Sequence, residues 1–229
     1  MCGRFLLTSP VDALGQLFLF DDRPNLAPRY NVAPSQDVPI VRRRRDADRR
    51  ELVLARWGLV PFWARDEKIG HKLINARAES VTSKPAFREA FQRGRRCLIP
   101  ADGFYEWQKT EAGRKQPYLV RPRAGGPLAF AGLFELWRPE GRAPLLSCTI
   151  LTTAANATVA PLHDRMPVIL AEAGFEPWLA ADVDEASTLL VPCPDDALEA
   201  VPVSTRVNSP RNDDSSILET DPGQPALPL

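Results

Sequence analysis

The segment RCLIPADGFYEWQKTEAGRKQPYLVRPRAGGPLAFAGLFELW, residues 96–137, decides the fold of this chain. It alternates runs of β-branched, aromatic and aliphatic residues with short turns that contain Gly or Pro. Such runs at hairpin distances predict antiparallel strands. We predict strands at residues 96–99, 103–108, 117–121 and 128–137, and a further strand at residues 145–153.

The rest of the chain predicts only short helices. Ser9 followed by Pro10 is a helix-start signal, and the apolar spacing after it predicts a helix to about residue 20. A second helix is predicted between Ser83 and Gly94, and a short one at residues 194–200. Since strands do not alternate regularly with helices, we predict an α+β fold: a single domain around a largely antiparallel, barrel-like β-sheet flanked by short helices.

Charge is balanced overall but uneven along the chain. The 229 residues include 29 Lys and Arg and 29 Asp and Glu, yet residues 1–100 hold 19 basic and 11 acidic residues. Such a bias favours a phosphate-bearing partner, although opposite charges from the two halves could instead intermix on one surface. The basic segment Arg42–Arg50 joins predicted strands at 38–41 and 51–57, and we interpret it first as a solvated turn and second as a phosphate contact.

Several protein classes are excluded by what the sequence lacks. No apolar run reaches the roughly 18 residues of a membrane span, and the first residues do not have the layout of a secretory signal. The four cysteines, at positions 2, 97, 148 and 193, are too far apart for a zinc or redox motif. We therefore expect a soluble, cytoplasmic protein with free thiols, no metal and no cofactor.

Cys2 is the strongest candidate for chemistry. A small residue at position 2 permits removal of Met1, which would leave a cysteine with a free α-amine. That amine has a pKa of about 7.7–8.0, and the thiol value of about 8.5 is expected to be lowered beside a cation such as Arg4. An adjacent amine and thiol condense with an aldehyde to a five-membered thiazolidine. The alternative is an N-terminal-nucleophile hydrolase, in which the thiol attacks and the amine is the base.

Three motifs place polar side chains inside apolar segments. Asn75 and Arg77 lie in LINARAE, Glu106 lies in ADGFYEW, and His163 lies in PLHDRMP. A glutamate among three aromatic residues is expected to be desolvated, which raises its pKa toward that of a useful general acid. Each of these residues could instead be a hydrogen-bonded core residue.

Two tryptophans receive different assignments. Burial is the common fate of this side chain, so Trp57 is assigned to the core. Trp63 precedes the basic residues Arg65 and Lys68, and we assign it to a platform on which unpaired bases stack for about 1–3 kcal/mol each. Stacking and phosphate contacts read no base edges, so little sequence preference is expected.

Distinctive motifs follow one another along almost the whole chain. They are MCGR (1–4), YNVAP (30–34), RWGLVPFW (56–63), NARAE (75–79), RCLIPADGFYEW (96–107), HDRMPV (163–168) and VSTRVN (203–208). This series resembles the SOS response-associated peptidase (SRAP) family of abasic-site processing proteins, over residues 2–212. The resemblance implies binding to single-stranded DNA, and to single-strand/duplex junctions, that carry abasic sites.

The resemblance also implies a covalent crosslink. The α-amine of Cys2 would attack the open-chain sugar aldehyde, and its thiol would then close a thiazolidine. Asn75 would orient the nucleophile, Glu106 would act as the acid and base, and His163 would assist imine chemistry and crosslink reversal. Arg4 and Arg77 would contact phosphates.

One SRAP-like domain is expected at residues 1–212, followed by a loosely ordered C-terminal tail at residues 213–229. We expect a monomer that is associated with the nucleoid when bound to damaged DNA. Two alternative functions stay open: a thiol amidohydrolase or peptidase that uses Cys2 as its nucleophile, and a non-covalent single-stranded DNA-binding module that does not need Cys2.

Overall fold

A computed structural model describes residues 2–44, 49–109 and 115–219. Its strands are β1 (Phe5–Leu7), β2 (Arg29–Val32), β3 (Asp37–Arg43), β4 (Arg50–Trp57), β5 (Asn75–Arg77), β6 (Arg96–Ala101), β7 (Gly103–Lys109), β8 (Lys115–Pro122), β9 (Leu128–Trp137), β10 (Leu145–Ala154), β11 (Arg165–Pro167) and β12 (Leu198–Pro202). The α-helices are α1 (Val11–Phe18), α2 (Arg88–Gln92), α3 (Phe175–Ala180) and α4 (Val183–Thr188). Short 3-10 helices include Glu67–Lys72, Asp195–Ala197, Thr205–Asn208 and Ser215–Leu218.

A closed barrel forms the centre of the molecule. Pairing runs from β10 through β4, β3, β6 and β9 and returns to β10. All of these pairings are antiparallel except that of β4 with β10. A side chain at Gly132 would place its Cβ 2.8 Å from the Ile99 side chain and 2.9 Å from the sulfur of Cys97, so any larger residue would force these buried side chains to shift. The predicted α+β fold class with a barrel-like, largely antiparallel sheet is confirmed.

A second, antiparallel sheet in the order β12-β8-β7-β1-β2 packs against the barrel. Phe5 of β1 and Phe104 of β7 both meet Phe130 of β9, with ring centroids 6.1 and 6.0 Å apart. Phe5 also contacts Trp57 at 5.2 Å, and Trp57 is buried as predicted. These contacts fix β1 in the interior, and Cys2 lies three residues before its first residue.

The C-terminal segment covers the other face of this second sheet. Val207 and Ile217 are fully buried in a cluster with Leu6 and Tyr105. Asp213 accepts hydrogen bonds from the backbone N–H groups of residues 30 and 31. The structure therefore differs from the expected loose tail over residues 213–219, which are packed because their apolar and acidic side chains complete the sheet. Residues 220–229 lie outside the described residues.

The helix predictions are correct in place but not in extent. Helix α1 ends at Phe18 because Leu19 adopts a left-handed conformation with a φ of 58°. Ser9 does not cap this helix, since its hydroxyl donates to Asp102 instead. Between Ser83 and Gly94, α-helix is limited to residues 88–92.

The helix predicted at residues 194–200 is wrong beyond its first turn. The chain forms a 3-10 turn at Asp195–Ala197 and then strand β12, which pairs with β8. Within the described part of the chain, every helix is too short or too polar to cross a membrane. The middle of the basic Arg42–Arg50 segment, residues 45–48, lies outside the described residues.

Candidate active site

Strand pairing brings Cys2 to Glu106. Phe5 of β1 faces Phe104 of β7, and the Arg4 carbonyl accepts a hydrogen bond from the Tyr105 N–H at 2.9 Å. Cys2 continues β1 toward the end of β7 that carries Glu106. The two side chains are close enough that the negative charge of Glu106 acts on the thiol.

The Cys2 thiol is held in its neutral form. Its side chain is fully buried, and its sulfur lies 3.9 Å from the Arg4 carbonyl. Burial, reinforced by the charge of Glu106, raises the pKa of Cys2 well above its usual range. The expected lowering by Arg4 is wrong, because the Arg4 guanidinium donates to the Asn31 side chain at 2.8 Å and to the Val207 carbonyl at 2.9 Å.

Asn75 holds the backbone of Cys2. Strand β5 lies parallel to β10, with Asn75 opposite Ile150. The Asn75 side-chain amide donates to the Cys2 carbonyl at 2.7 Å. Its buried Oδ1 makes no hydrogen bond within the described residues, so an acceptor beside Cys2 is available to a ligand. Arg77, two residues further on, is exposed on the same side of the strand as Asn75.

Glu106 and His163 face a common groove of about 800 Å³. It is lined by Glu106, Trp107, Lys109, Lys115, Pro161, Leu162, His163 and Asn208. Glu106 is only 4% exposed, and burial raises its pKa, with a smaller contribution from the charge of Asp164. A carboxyl group with a raised pKa retains a proton to donate closer to neutral pH. The structure thus agrees with the expected desolvation of Glu106.

His163 has two neighbours that require different protonation states. Its Nδ1 accepts the Arg165 backbone N–H at 2.9 Å, whereas an Asp164 carboxylate oxygen lies 2.7 Å from the same nitrogen. The second contact needs a proton on Nδ1 and the first forbids one. Burial lowers the pKa of His163, so the neutral ring predominates at neutral pH. A neutral imidazole has one nitrogen that donates and one that accepts, so the ring can pass a proton in either direction.

Four groove residues that carry side-chain hydrogen-bond donors, Trp107, Lys109, Lys115 and Asn208, were not predicted as site residues from the sequence. The indole N–H of Trp107 donates to the Asn208 Oδ1 at 2.7 Å, which directs the Asn208 amide N–H groups away from the indole. Lys109 and Lys115 stand directly opposite each other on β7 and β8. Like charges at such positions destabilise a hairpin, so this pair favours an anion between them. Two features of the sequence could have indicated these residues: Lys109 and Lys115 flank one predicted turn, and Asn208 ends the last motif.

The other predicted DNA contacts lie outside this groove. Trp63 is 48% exposed on a turn between Pro61 and Ala64, and it does not line the groove. Arg77 is exposed near Asn75, and Arg4 is half-buried with one nitrogen already bonded. Cys2, Asn75, Glu106 and His163 are thus the predicted residues that the fold gathers around one place.

Comparison with known proteins finds similarity along almost the whole chain. The family model described as "SOS response associated peptidase (SRAP)" matches residues 1–210. The chain belongs to the SRAP family. Among curated SRAP relatives, the abasic site processing protein YoaM of Bacillus subtilis is 43% identical and is aligned over 96% of this chain and 99% of its own. The abasic site processing protein HMCES of Gallus gallus is 36% identical, over 93% of this chain and 76% of its own.

Solved structures share this SRAP fold. A protein from Bacteroides thetaiotaomicron superposes with a TM-score of 0.85 at 25% identity, over 96% of this chain and 100% of that one. A protein from Bordetella bronchiseptica superposes with a TM-score of 0.77 at 28% identity, over 89% of this chain and 100% of that one. The arrangement of barrel and second sheet is therefore that of known members of the fold.

Proposed function

We propose that this SRAP protein binds abasic sites in single-stranded DNA, and at single-strand/duplex junctions, and joins them covalently through Cys2 after Met1 has been removed. The curated relatives that carry the name abasic site processing protein support the substrate class. The observation that carries the proposal is the hydrogen bond from Asn75 to the Cys2 carbonyl, which orients residue 2 beside Glu106.

The reaction begins with the amine, because the thiol is neutral. The ring-opened sugar presents an aldehyde, and the α-amine adds to its carbon to give a carbinolamine. Glu106 donates the proton with which the hydroxyl leaves as water, and an imine forms. The thiol then adds to the imine carbon while its proton passes to the nitrogen, which closes the thiazolidine. The sum is one aldehyde and one aminothiol giving one thiazolidine and one water.

The groove residues divide between the two halves of the reaction. The raised pKa of Glu106 suits the donation that expels water, and the charge left on Glu106 is then available as a base. The neutral His163 suits proton transfer at the nitrogen, including its return when the crosslink reverses.

The phosphate oxygens of the bound strand accept hydrogen bonds from Lys109, Lys115 and the Asn208 amide. Arg77 and Trp63 extend the contacts to neighbouring nucleotides.

Such a protein works on chromosomal DNA in the cytoplasm, associated with the nucleoid, and as a monomer. The four cysteines are free thiols, which supports a reducing compartment.

Mixing the protein with single strands that carry or lack an abasic site, followed by a denaturing gel, tests the proposal. We expect a slowly migrating adduct only with the abasic strand. A form that retains Met1 behind an N-terminal tag should bind the strand but form no adduct. Cys2→Ala should give only an imine that borohydride traps, because it has an amine and no thiol.

Three outcomes would assign a different function. An adduct formed at the normal rate by the tagged protein would show that the α-amine is not the nucleophile. Equal binding with no adduct in wild type and Cys2→Ser would indicate a non-covalent single-stranded DNA-binding module. Cleavage of peptide amides that depends on Cys2, without an adduct, would indicate a thiol peptidase.

A further inference from the structure

A second large groove lies on the outside of the barrel, away from the residues that line the catalytic groove. Its volume is about 810 Å³, and strands β3, β4 and β9, helix α2 and the turn at residues 61–64 contribute to it. It is lined by Arg42, Arg43, Arg44, Glu51, Phe62, Glu89, Arg93, Arg95, Phe134, Glu135, Leu136 and Arg138. We propose that this arginine groove binds undamaged single-stranded nucleic acid next to the lesion-bearing segment.

The charge of the arginine groove favours a polyanion. Six arginines and three glutamates line it. Each glutamate already has an arginine of the groove as its partner, in the pairs Glu51 with Arg42, Glu89 with Arg93, and Glu135 with Arg95. A fourth arginine, Arg43, pairs with Glu176, which lies outside the lining, at 3.5 Å, and Arg138 adds a positive charge that none of these carboxylates pairs with.

Arg138 is the clearest candidate for a phosphate contact. It is exposed, and within the described residues it makes no hydrogen bond or ion pair. Concentrating like charge in a concave surface destabilises the folded chain unless the surface has an anion to bind. Arginine is also the side chain whose planar fork matches two phosphate oxygens at once.

The aromatic lining favours a strand with unpaired bases over other polyanions. Phe62 is 48% exposed at one side of the groove, and the Arg42 guanidinium lies 5.0 Å from the Phe134 ring centroid. An exposed phenyl ring and a guanidinium plane are both surfaces on which a base can stack. A fully paired duplex hides its base faces and cannot use them.

The position of Phe62 links the arginine groove to the rest of the proposed DNA path. Phe62 and Trp63 are consecutive and equally exposed at 48%. Their Cα atoms are about 3.8 Å apart, so a strand stacked on Trp63 is within reach of Phe62 at the next nucleotide. The inference rests on the proposed function for this continuity, but its test uses undamaged strands and can succeed or fail separately.

The test compares two double variants. Phe62→Ala/Arg138→Ala removes one ring and one cation from the arginine groove, and both side chains are exposed, so the fold is expected to persist. Leu19→Ala/Arg121→Ala is the matched control, because Leu19 and Arg121 are an exposed apolar side chain and an exposed arginine elsewhere. Binding is measured with undamaged single strands of about 30 nucleotides, which exceed the site of about 4–16 nucleotides that one small domain covers.

We expect the groove variant to bind the long strand about 5- to 150-fold more weakly, the range that corresponds to losing one stacked base. Its dependence of log affinity on log salt should flatten by roughly 0.7, because one phosphate is no longer neutralised. The control variant should bind like wild type. Crosslinking of a short abasic strand, which occupies the catalytic groove alone, should be unchanged in both variants.

Unchanged affinity of the groove variant for the long strand would overturn the inference, as would an equal loss in the control or a loss confined to duplex DNA. If the wild type forms no crosslink with the short abasic strand, the proposed function fails, and the long-strand comparison still decides this inference.

Discussion

The proposed mechanism assigns proton donation during crosslinking to the carboxyl group of Glu106. Glu106→Gln keeps the shape and hydrogen bonding of the side chain but removes the proton it can transfer. Because a positioned acid contributes about 10²–10⁴-fold, crosslinking by the variant should slow by a factor in that range. Single-turnover gels at saturating protein measure this rate separately from binding. A variant that reacts at the wild-type rate and binds more weakly would make Glu106 a DNA contact.

The raised pKa of Glu106 gives this substitution a second signature. The active form needs a protonated Glu106 and a neutral α-amine, whose pKa is about 7.7–8.0. As the pH rises from the pKa of Glu106 to that of the amine, the fraction of neutral amine increases and the fraction of protonated Glu106 decreases by the same factor. The wild-type rate should therefore be independent of pH in this range. In Glu106→Gln only the amine titrates, so the rate should rise about tenfold per pH unit up to the amine pKa. Parallel profiles for the two proteins would contradict the assignment.

Asn75 acts through the position of Cys2. Asn75→Ala removes the hydrogen bond to the Cys2 carbonyl and leaves that carbonyl unsatisfied, a loss of about 1–3 kcal/mol that corresponds to a rate decrease of about 5- to 150-fold. DNA affinity should fall less than the rate, because the lost donor bond lies within the protein and only Oδ1 is offered to the ligand. Asn75→Gln carries the same donor on a longer side chain and is the control for donor chemistry. A fall in affinity with an unchanged saturating rate would assign Asn75 to binding.

At the scale of elements, local pattern was sufficient wherever pairing followed sequence order. The strands of residues 96–153 were predicted to within two residues, and two pairs of them, β7 with β8 and β9 with β10, are hairpins of strands adjacent in the chain. The prediction was wrong at residues 194–200, where pairing with β8 converts an apolar stretch into a strand. A contact with a distant residue also explains why Ser9 does not cap helix α1. Its hydroxyl donates to Asp102, which lies far along the chain.

The β7–β8 hairpin makes a prediction of its own. Lys109 and Lys115 face each other beside the catalytic groove, so a phosphate between them would relieve their repulsion. Lys109→Ala/Lys115→Ala should weaken binding of abasic single strands and flatten the salt dependence by roughly 0.7 for each phosphate that is no longer neutralised. The saturating crosslinking rate should be retained. Fluorescence anisotropy over a salt series gives the slope, and Lys84→Ala, at an exposed lysine that does not line the groove, is the control. An unchanged slope would remove the hairpin from the DNA path.

At the scale of the molecule, the site could be predicted only in part. Cys2, Asn75, Glu106 and His163 stand in motifs, and their identities indicate their chemistry. The state of the Cys2 thiol could not be predicted, because it depends on burial and on the partners that occupy Arg4. Those partners come from distant parts of the sequence, which no local pattern connects.

Asn31 is the clearest case of such a distant connection. Its buried side chain accepts a hydrogen bond from Arg4 and donates to the carbonyls of Val207, Ser209 and Asn212. Asp213 then binds the Arg29 side chain and the backbone of Asn31. The C-terminal segment thus supports the strand that leads from Cys2, although sequence composition alone made it a tail.

The last prediction follows from this support. Ile217 is fully buried against the second sheet, so Ile217→Ala should lower the free energy of unfolding by about 2–5 kcal/mol, as for other buried isoleucines. Urea denaturation of the two proteins measures this decrease in the free energy of unfolding. Deleting residues 220–229 is the matched control, because it leaves every described residue of the C-terminal segment in place. Since the cluster also holds Leu6 and Tyr105, which flank Arg4 and Glu106 in sequence, Ile217→Ala should slow crosslinking below its own melting temperature. If Ile217→Ala is as stable and as fast as wild type, the segment does not support the site. If instead the deletion is the more harmful change, the support comes from residues beyond 219.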